Sequence, residues 1–309
     1  MGMSSTSHSL PAGIELKLLL AALRPLCWGA ADILRAYARG EQPPYDYPRF
    51  LDVQSSSEGP VSTADQAVNQ WLLNGLQADF PYADWALLSE ETAKNSVVTS
   101  QPLAAGWLWI IDPLDGTRDF LQGTGEYAVH LALVHEQRPV LGVVLLPEAN
   151  ELWLGVVGKG VWCEDREGQH RPASFSSRCG ISELSLVVSR SHRDERLGKL
   201  IAALQPSCTS FAGSVGYKIA AILRGDADFY ISLSGQSAPK DWDIAAPEAI
   251  LLAAGGCFTH ADGSQIRYNR INSKSEQTGC LIASHGISHV ALLEAATRAM
   301  LLIDPSFQL

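Results

Sequence analysis

The apolar residues Leu16, Leu19, Leu20, Leu23, Cys27, Ala31 and Leu34 recur at helical spacing, which predicts one long helix bent at Pro25. Gly40 and the Pro43-Pro44 pair end it. A polar segment from Gln54 to Gly59 leads to a second predicted helix, with Ser62 or Thr63 near its cap. Val68, Leu72 and Leu76 form its apolar face and Pro81 stops it. Five strand-like runs follow, at 86–88, 107–111, 128–134, 140–146 and 152–157, and their short turns predict an antiparallel sheet.

From about residue 180 the rhythm changes. Strand 184–188, helix 197–204, helix 217–223, strand 228–231, helix 244–254 and strand 281–284 predict a second, α/β half. The polar stretch from Glu164 to Gly180 is the expected boundary. The division is then a flexible N-terminus over 1–13, an α+β metal-binding domain over 14–175, and an α/β domain over 176–309 that completes the site.

The formal net charge is −10 and no Lys/Arg run appears, which argues against a nucleic-acid polymer as partner. A small phosphorylated substrate is compatible with that charge, because bound divalent cations reverse the local field. The stretch 16–34 is interrupted by Lys17, Arg24, Pro25 and Asp32, so no membrane span is expected there. Six cysteines without a CxxC pair or a preceding secretory signal predict a reduced, cytoplasmic protein with buried thiols.

Three acidic clusters stand where strands end: Ser89-Glu90-Glu91, Asp112-Pro113-Leu114-Asp115-Gly116-Thr117, and Asp241-Trp242-Asp243. In the middle one, Pro113 forces an extended turn, Asp115 can point back toward Asp112, and the Leu114 carbonyl adds an oxygen. Gly116 permits close backbone approach, and the N–H groups from Thr117 onward suit a phosphate oxygen. Taken singly, each cluster reads as a turn, a solvated loop or a helix cap. Gathered together, such carboxylates repel one another unless a cation joins them, and hard oxygen donors suit Mg²⁺.

In order and spacing these segments, with Trp242-Asp243-Ile244-Ala245-Ala246 as the third, resemble the signature motifs of the inositol monophosphatase superfamily. That resemblance implies a mixed α/β, layered αβαβα sandwich of the inositol monophosphatase/fructose bisphosphatase type. It also implies two or three Mg²⁺ ions held by Glu90, Asp112, the Leu114 carbonyl, Asp115 and Asp243, and inhibition by Li⁺. Asp65 would hydrogen-bond Thr117, the two orienting the attacking water, with Glu91 behind the ligands. Such proteins often form homodimers.

Within the superfamily, three segments resemble the CysQ-type 3′(2′),5′-bisphosphate nucleotidases: Val187-Val188-Ser189-Arg190-Ser191-His192-Arg193-Asp194, Gly213-Ser214 with Lys218, and Ile266-Arg267-Tyr268-Asn269. This implies hydrolysis of the 3′-phosphate of adenosine 3′,5′-bisphosphate, and of its sulfated analogue PAPS. Asp115, Gly116, Thr117, Ser191, His192, Ser214 and Lys218 would then touch substrate. Arg190, His192 and Lys218 are the candidates for a second phosphate. The chain departs from that pattern twice. Gln54, Ser55 and Ser56 stand where a Lys is usual, and Ile231-Ser232 follow a strand that often ends in a basic residue, leaving Lys240 as a substitute. Two alternatives stay open: a broader inositol monophosphatase or fructose-1,6-bisphosphatase, and a degenerate phosphometabolite-binding protein.

Overall fold

The computed structural model of the 309-residue chain describes residues 10–56, 59–95, 102–191, 194–235, 238–271 and 275–307. Most of the expected flexible N-terminus, and the substrate candidate His192 with the neighbouring Arg193, lie outside the described residues. Of the segment 1–13 the structure describes 10–13, where Leu10 packs against the first core cluster.

The first helix, α1 (Leu16–Ala38), contains Pro25, and the second, α2 (Thr63–Asp79), starts after Ser62. Between them the segment expected to be merely polar pairs as a hairpin of β1 (Val53–Ser56) and β2 (Gly59–Ser62). Next come β3 (Ala86–Ser89), the short α3 (Glu90–Asn95), β4 (Trp107–Asp115) and the short α4 (Thr117–Leu121). Then β5 (Ala128–His135), β6 (Arg138–Leu146), β7 (Glu151–Val156), β8 (Gly160–Glu164) and β9 (His170–Pro172) complete one sheet, ordered β3 to β9. It is not wholly antiparallel: β3 and β4, with α3 between them in sequence, pair in parallel. The expected boundary stretch is partly strand, since β8 ends in it and β9 lies within it.

The second sheet contains β10 (Ser185–Ser189), β11 (Cys208–Ala212), β12 (Phe229–Leu233), β13 (Cys257–His260) and β14 (Cys280–Ser284), ordered β11-β10-β12-β14-β13. Its helices are α5 (Glu195–Leu204), α6 (Val215–Arg224), α7 (Asp241–Ala253) and α8 (His289–Ile303).

Strand alternation assigns each side chain to a layer. In β4, Trp109 and Ile111 join a core with α1 and α2, while Leu108 and Ile110 face Ile219 of α6 and Ile244 and Ile250 of α7. In the second sheet Val187, Tyr230 and Leu281 enter that same central layer, and Leu186, Phe229 and Ile282 meet α5 and α8 on the far side. The result is the αβαβα sandwich expected from the resemblance, and its central core draws on both sides of residue 175.

Glycine sets how closely α7 lies on the first sheet. A Cβ on Gly142 would stand 2.5 Å from Ala249 Cβ, and one on Gly155 would stand 2.7 Å from Ile250 Cα. This close approach brings the N-terminus of α7 to the end of β4. Among the described residues no helix is long and apolar enough to cross a membrane. The six cysteines are free; Cys179 and Cys208 are exposed, so not all thiols are buried as expected.

Candidate active site

The three acidic segments meet where β3, β4 and α7 end or begin. Carboxylate oxygens of Asp112, Asp115 and Asp243 lie within 4.8 Å of one another. They line a cleft of about 430 Å³ together with Glu90, Leu114, Gly116, Thr117, Ser191 and Lys218. Asp112 is 1% exposed, and its Oδ1 accepts the Leu114 N–H at 3.0 Å; instead of the turn expected at Pro113, β4 continues through it to Asp115. The β4–β5 register shifts between Asp112 and Asp115, so both acids reach the same end of the strand. Asp243 lies in the first turn of α7, its Oδ2 accepting the Lys240 N–H at 2.7 Å.

Charge in this corner is poorly compensated. Burial, then the neighbouring Glu90, Asp115 and Asp243, push the Asp112 carboxyl well above its ordinary range. Burial raises Asp243 to about 7, with Asp115 adding to it. Asp115 goes only to about 6, because Lys218 and the N–H groups of Val215 and Gly216 oppose its desolvation. Burial lifts Glu90 to about 7 despite Lys94, whose Nζ lies 2.7 Å from it. A set of oxygen donors held close, buried and short of positive charge is a place for a hard divalent cation. The residues therefore fit the Mg²⁺ site that the motifs imply.

Beside the trio stands a hydroxyl–carboxylate pair. Thr117 Oγ1 lies 3.1 Å from Asp65 Oδ1 and 3.2 Å from the Leu114 carbonyl. Asp65 is the third residue of α2; its Oδ2 accepts the Ser62 N–H at 2.7 Å and the Ser62 hydroxyl at 2.6 Å. That cap fixes the carboxylate, whose pKa burial raises to about 7. Glu91 is buried and pairs with Lys94 at 3.2 Å, behind the cleft rather than on its lining.

On the substrate side, Ser191 and Gly116 line the cleft, whereas Ser214 is buried as the cap of α6, accepting the Tyr217 N–H at 3.0 Å. Lys218 is no surface charge. It is 1% exposed, donates to the Gly213 carbonyl at 2.5 Å, and burial lowers its pKa to about 8 against the pull of Asp115. Arg190 does not line the cleft; it pairs with Asp119 and, at 2.6 Å, with Glu126. Lys240 does line it, with its Nζ 3.2 Å from Glu276.

Sequence reasoning missed Lys94, Asp119, Glu126 and His130. Lys94 had a signal, standing four residues after Glu90 and three after Glu91 on one helix face. His130 had none: it is buried in β5, with Nε2 3.5 Å from Asp115 Oδ2.

Known proteins resemble the chain in sequence and in fold. The 3′(2′),5′-bisphosphate nucleotidase CysQ of Salmonella typhimurium is 31% identical over 252 residues, covering 81% of this chain and 94% of its own. Its namesake from Escherichia coli K12 is 31% identical over 227 residues, covering 72% and 86%. Among solved structures, an IMPase from Thermotoga maritima superposes with a TM-score of 0.72 at 22% identity, over 92% of this chain and 99% of that one. The profile of the inositol monophosphatase family matches residues 15–301. With its fold, its clustered carboxylates and this match, the chain belongs to the inositol monophosphatase family of phosphatases, which act on small phosphorylated substrates.

Proposed function

We propose that the chain is a Mg²⁺-dependent phosphatase that removes the 3′-phosphate of adenosine 3′,5′-bisphosphate, giving AMP and phosphate, and acts likewise on PAPS. One observation carries this reading: the Asp112/Asp115/Asp243 trio and the buried Lys218 line a single cleft. A metal-binding corner and a separate cation suit a substrate with two phosphate groups. The nucleotidase relatives support the same choice.

Glu90, Asp112, the Leu114 carbonyl, Asp115 and Asp243 would hold two or three Mg²⁺ ions. Bound there, Mg²⁺ supplies positive charge that neutralises phosphate oxygens and lowers the pKa of an attacking water. The remaining work is positioning. The Thr117 hydroxyl commits its proton to Asp65 or the Leu114 carbonyl, which turns its lone pairs toward the cleft to accept from a water. Asp65, fixed by Ser62, takes up the proton that the water releases. Glu91 acts through Lys94 and keeps Glu90 in place. Gly116 and Ser191 form part of the wall against which the substrate lies, and Ser214 holds the turn that carries Lys218.

A phosphate-release panel with Mg²⁺ tests the reading. Adenosine 3′,5′-bisphosphate is expected to exceed inositol 1-phosphate in kcat/KM by roughly tenfold, the worth of one charge-assisted hydrogen bond. Excess EDTA should abolish both activities. Ile231 and Ser232 line the cleft where a basic residue is usual, which favours a broader enzyme that also takes inositol phosphate or fructose 1,6-bisphosphate. A wild type preferring inositol 1-phosphate would establish that alternative.

A further inference from the structure

Arg190 follows β10 directly, and its environment is made of three other segments. Its N–H donates to the Ala212 carbonyl at 3.0 Å. Its two terminal nitrogens are both committed to carboxylates, Nη1 to Asp119 and Nη2 to Glu126. Asp119 is buried and also accepts from Thr124 Oγ1 at 3.0 Å. Glu126 grips the next turn twice: Oε2 accepts the Gly213 N–H at 3.0 Å, and its backbone carbonyl accepts the Ser214 N–H at 2.9 Å. The fit is tight, since a Cβ on Gly213 would lie 2.4 Å from Asp119 Cγ and 2.6 Å from the Glu126 carbonyl oxygen.

The same turn faces the site on its other side. The Gly213 carbonyl receives Lys218 Nζ, and the Val215 N–H donates to Asp115 Oδ2 at 2.5 Å. A continuous run of contacts therefore links Arg190, through two carboxylates and the backbone of residues 213–215, to Asp115 of the acidic trio and to the buried Lys218.

We propose that Arg190 is a positioning residue: by holding Asp119 and Glu126 together it fixes the 213–215 turn, and so the places of Asp115 and Lys218. It does not bind a substrate phosphate. Without the guanidinium, Asp119 and Glu126 are two adjacent like charges that push the turn away from its seat. Lysine replaces the charge but not the fork that meets two carboxylates at once.

The proposal rests on the phosphatase reading only in its activity measurements, so Mg²⁺ binding is measured separately, by calorimetry on the full-length chain without substrate. Arg190→Ala is expected to weaken Mg²⁺ binding roughly tenfold and to lower kcat/KM by a similar factor on adenosine 3′,5′-bisphosphate and inositol 1-phosphate alike. Arg190→Lys should recover part of each loss, and it carries the comparison alone if Arg190→Ala does not fold. Unchanged Mg²⁺ binding with a loss confined to the bisphosphate would make Arg190 a phosphate contact and overturn the proposal. A lowered melting temperature with Mg²⁺ binding and both activities unchanged would overturn it too, leaving Arg190 purely structural. If the wild type hydrolyses neither substrate, the functional reading fails, and the Mg²⁺ comparison still decides the role of Arg190.

Discussion

Two buried aspartates show opposite ways of carrying a charge inside this fold. Asp228, fully buried just before β12, is satisfied by its own chain. Arg178 Nε reaches Oδ2 at 2.6 Å, the Ser185 N–H donates to it at 2.6 Å, and the Ser176 hydroxyl donates to Oδ1. Burial pushes its pKa up, but Arg178 and Ser176 outweigh that and hold it below the usual range. Asp112, equally buried, accepts the Leu114 N–H and otherwise faces Glu90, Asp115 and Asp243, so its pKa moves the other way. A carboxylate with a structural task is paired within the fold. The one left among like charges awaits a cation from outside.

The largest effect expected from breaking this contrast is on chemistry. Asp115→Asn should lower kcat on the order of 10³-fold and weaken Mg²⁺ binding, while leaving circular dichroism and the metal-free melting temperature unharmed. Phosphate release, calorimetry and a thermal scan decide it together; a substantial loss of stability would mean that Asp115 is structural after all. Arg178→Ala should do the reverse. It strands a buried charge and costs about 3 kcal/mol of stability, near the lower end for broken buried pairs because the guanidinium reaches solvent. Activity per folded molecule should stay unchanged. Urea unfolding alongside active-site titration gives the measurement.

A pH scan sharpens the comparison at lower amplitude. With their folded pKa values raised to about 6 for Asp115 and about 7 for Asp65, Glu90 and Asp243, these groups hold protons that the unfolded chain, with its ordinary carboxylates, has already released. The folded state binds more protons across that window, so metal-free stability falls as pH rises from about 4 to about 7. Asp228 has the opposite sign: its contribution is present above the unfolded pKa and is lost as pH falls through the lower folded one. Melting temperatures in EDTA should therefore decline from pH 5 to pH 7, and saturating Mg²⁺ should flatten the decline. A rise in EDTA over that interval would show that the carboxylates are compensated without metal.

What the sequence made legible follows from where each signal resides. The acidic motifs are short and contiguous, so Asp112 and Asp115 could be read together, and α1 and α2 announce themselves by apolar spacing. Polar or exposed elements were not seen. β9 is exposed at all three residues, β11 mostly so, and the β1–β2 hairpin has little apolar alternation to find. The parallel pairing of β3 with β4 is a matter of chain path, which strand composition does not encode. α8 did carry a signal, with Leu292, Ala296, Ala299 and Met300 at helical spacing. The partners of Lys218 and Arg190 are remote: Asp115 precedes Lys218 by 103 residues and Asp119 precedes Arg190 by 71, so no local pattern reveals either contact.

Lys218 gives the smallest and most discriminating prediction. It is the one buried lysine on the cleft lining among the described residues, and it attenuates the negative field of Asp115, Asp119, Asp243 and Glu126. Replacing it by methionine keeps the apolar stem and about the same volume while removing the charge, and with it the ammonium's contact over the Tyr230 ring, 5.4 Å from the centroid. The metal corner then becomes more negative, and Mg²⁺ should bind more tightly by on the order of 1 kcal/mol, roughly fivefold. Activity should move the other way, and unequally. A second phosphate loses its cation, so kcat/KM for adenosine 3′,5′-bisphosphate falls toward that for inositol 1-phosphate, which needs no such contact. Calorimetry and the two-substrate assay on Lys218→Met check both halves. Weaker Mg²⁺ binding would show that Lys218 supports the carboxylates instead of competing with the metal, and equal losses on both substrates would remove it from phosphate recognition.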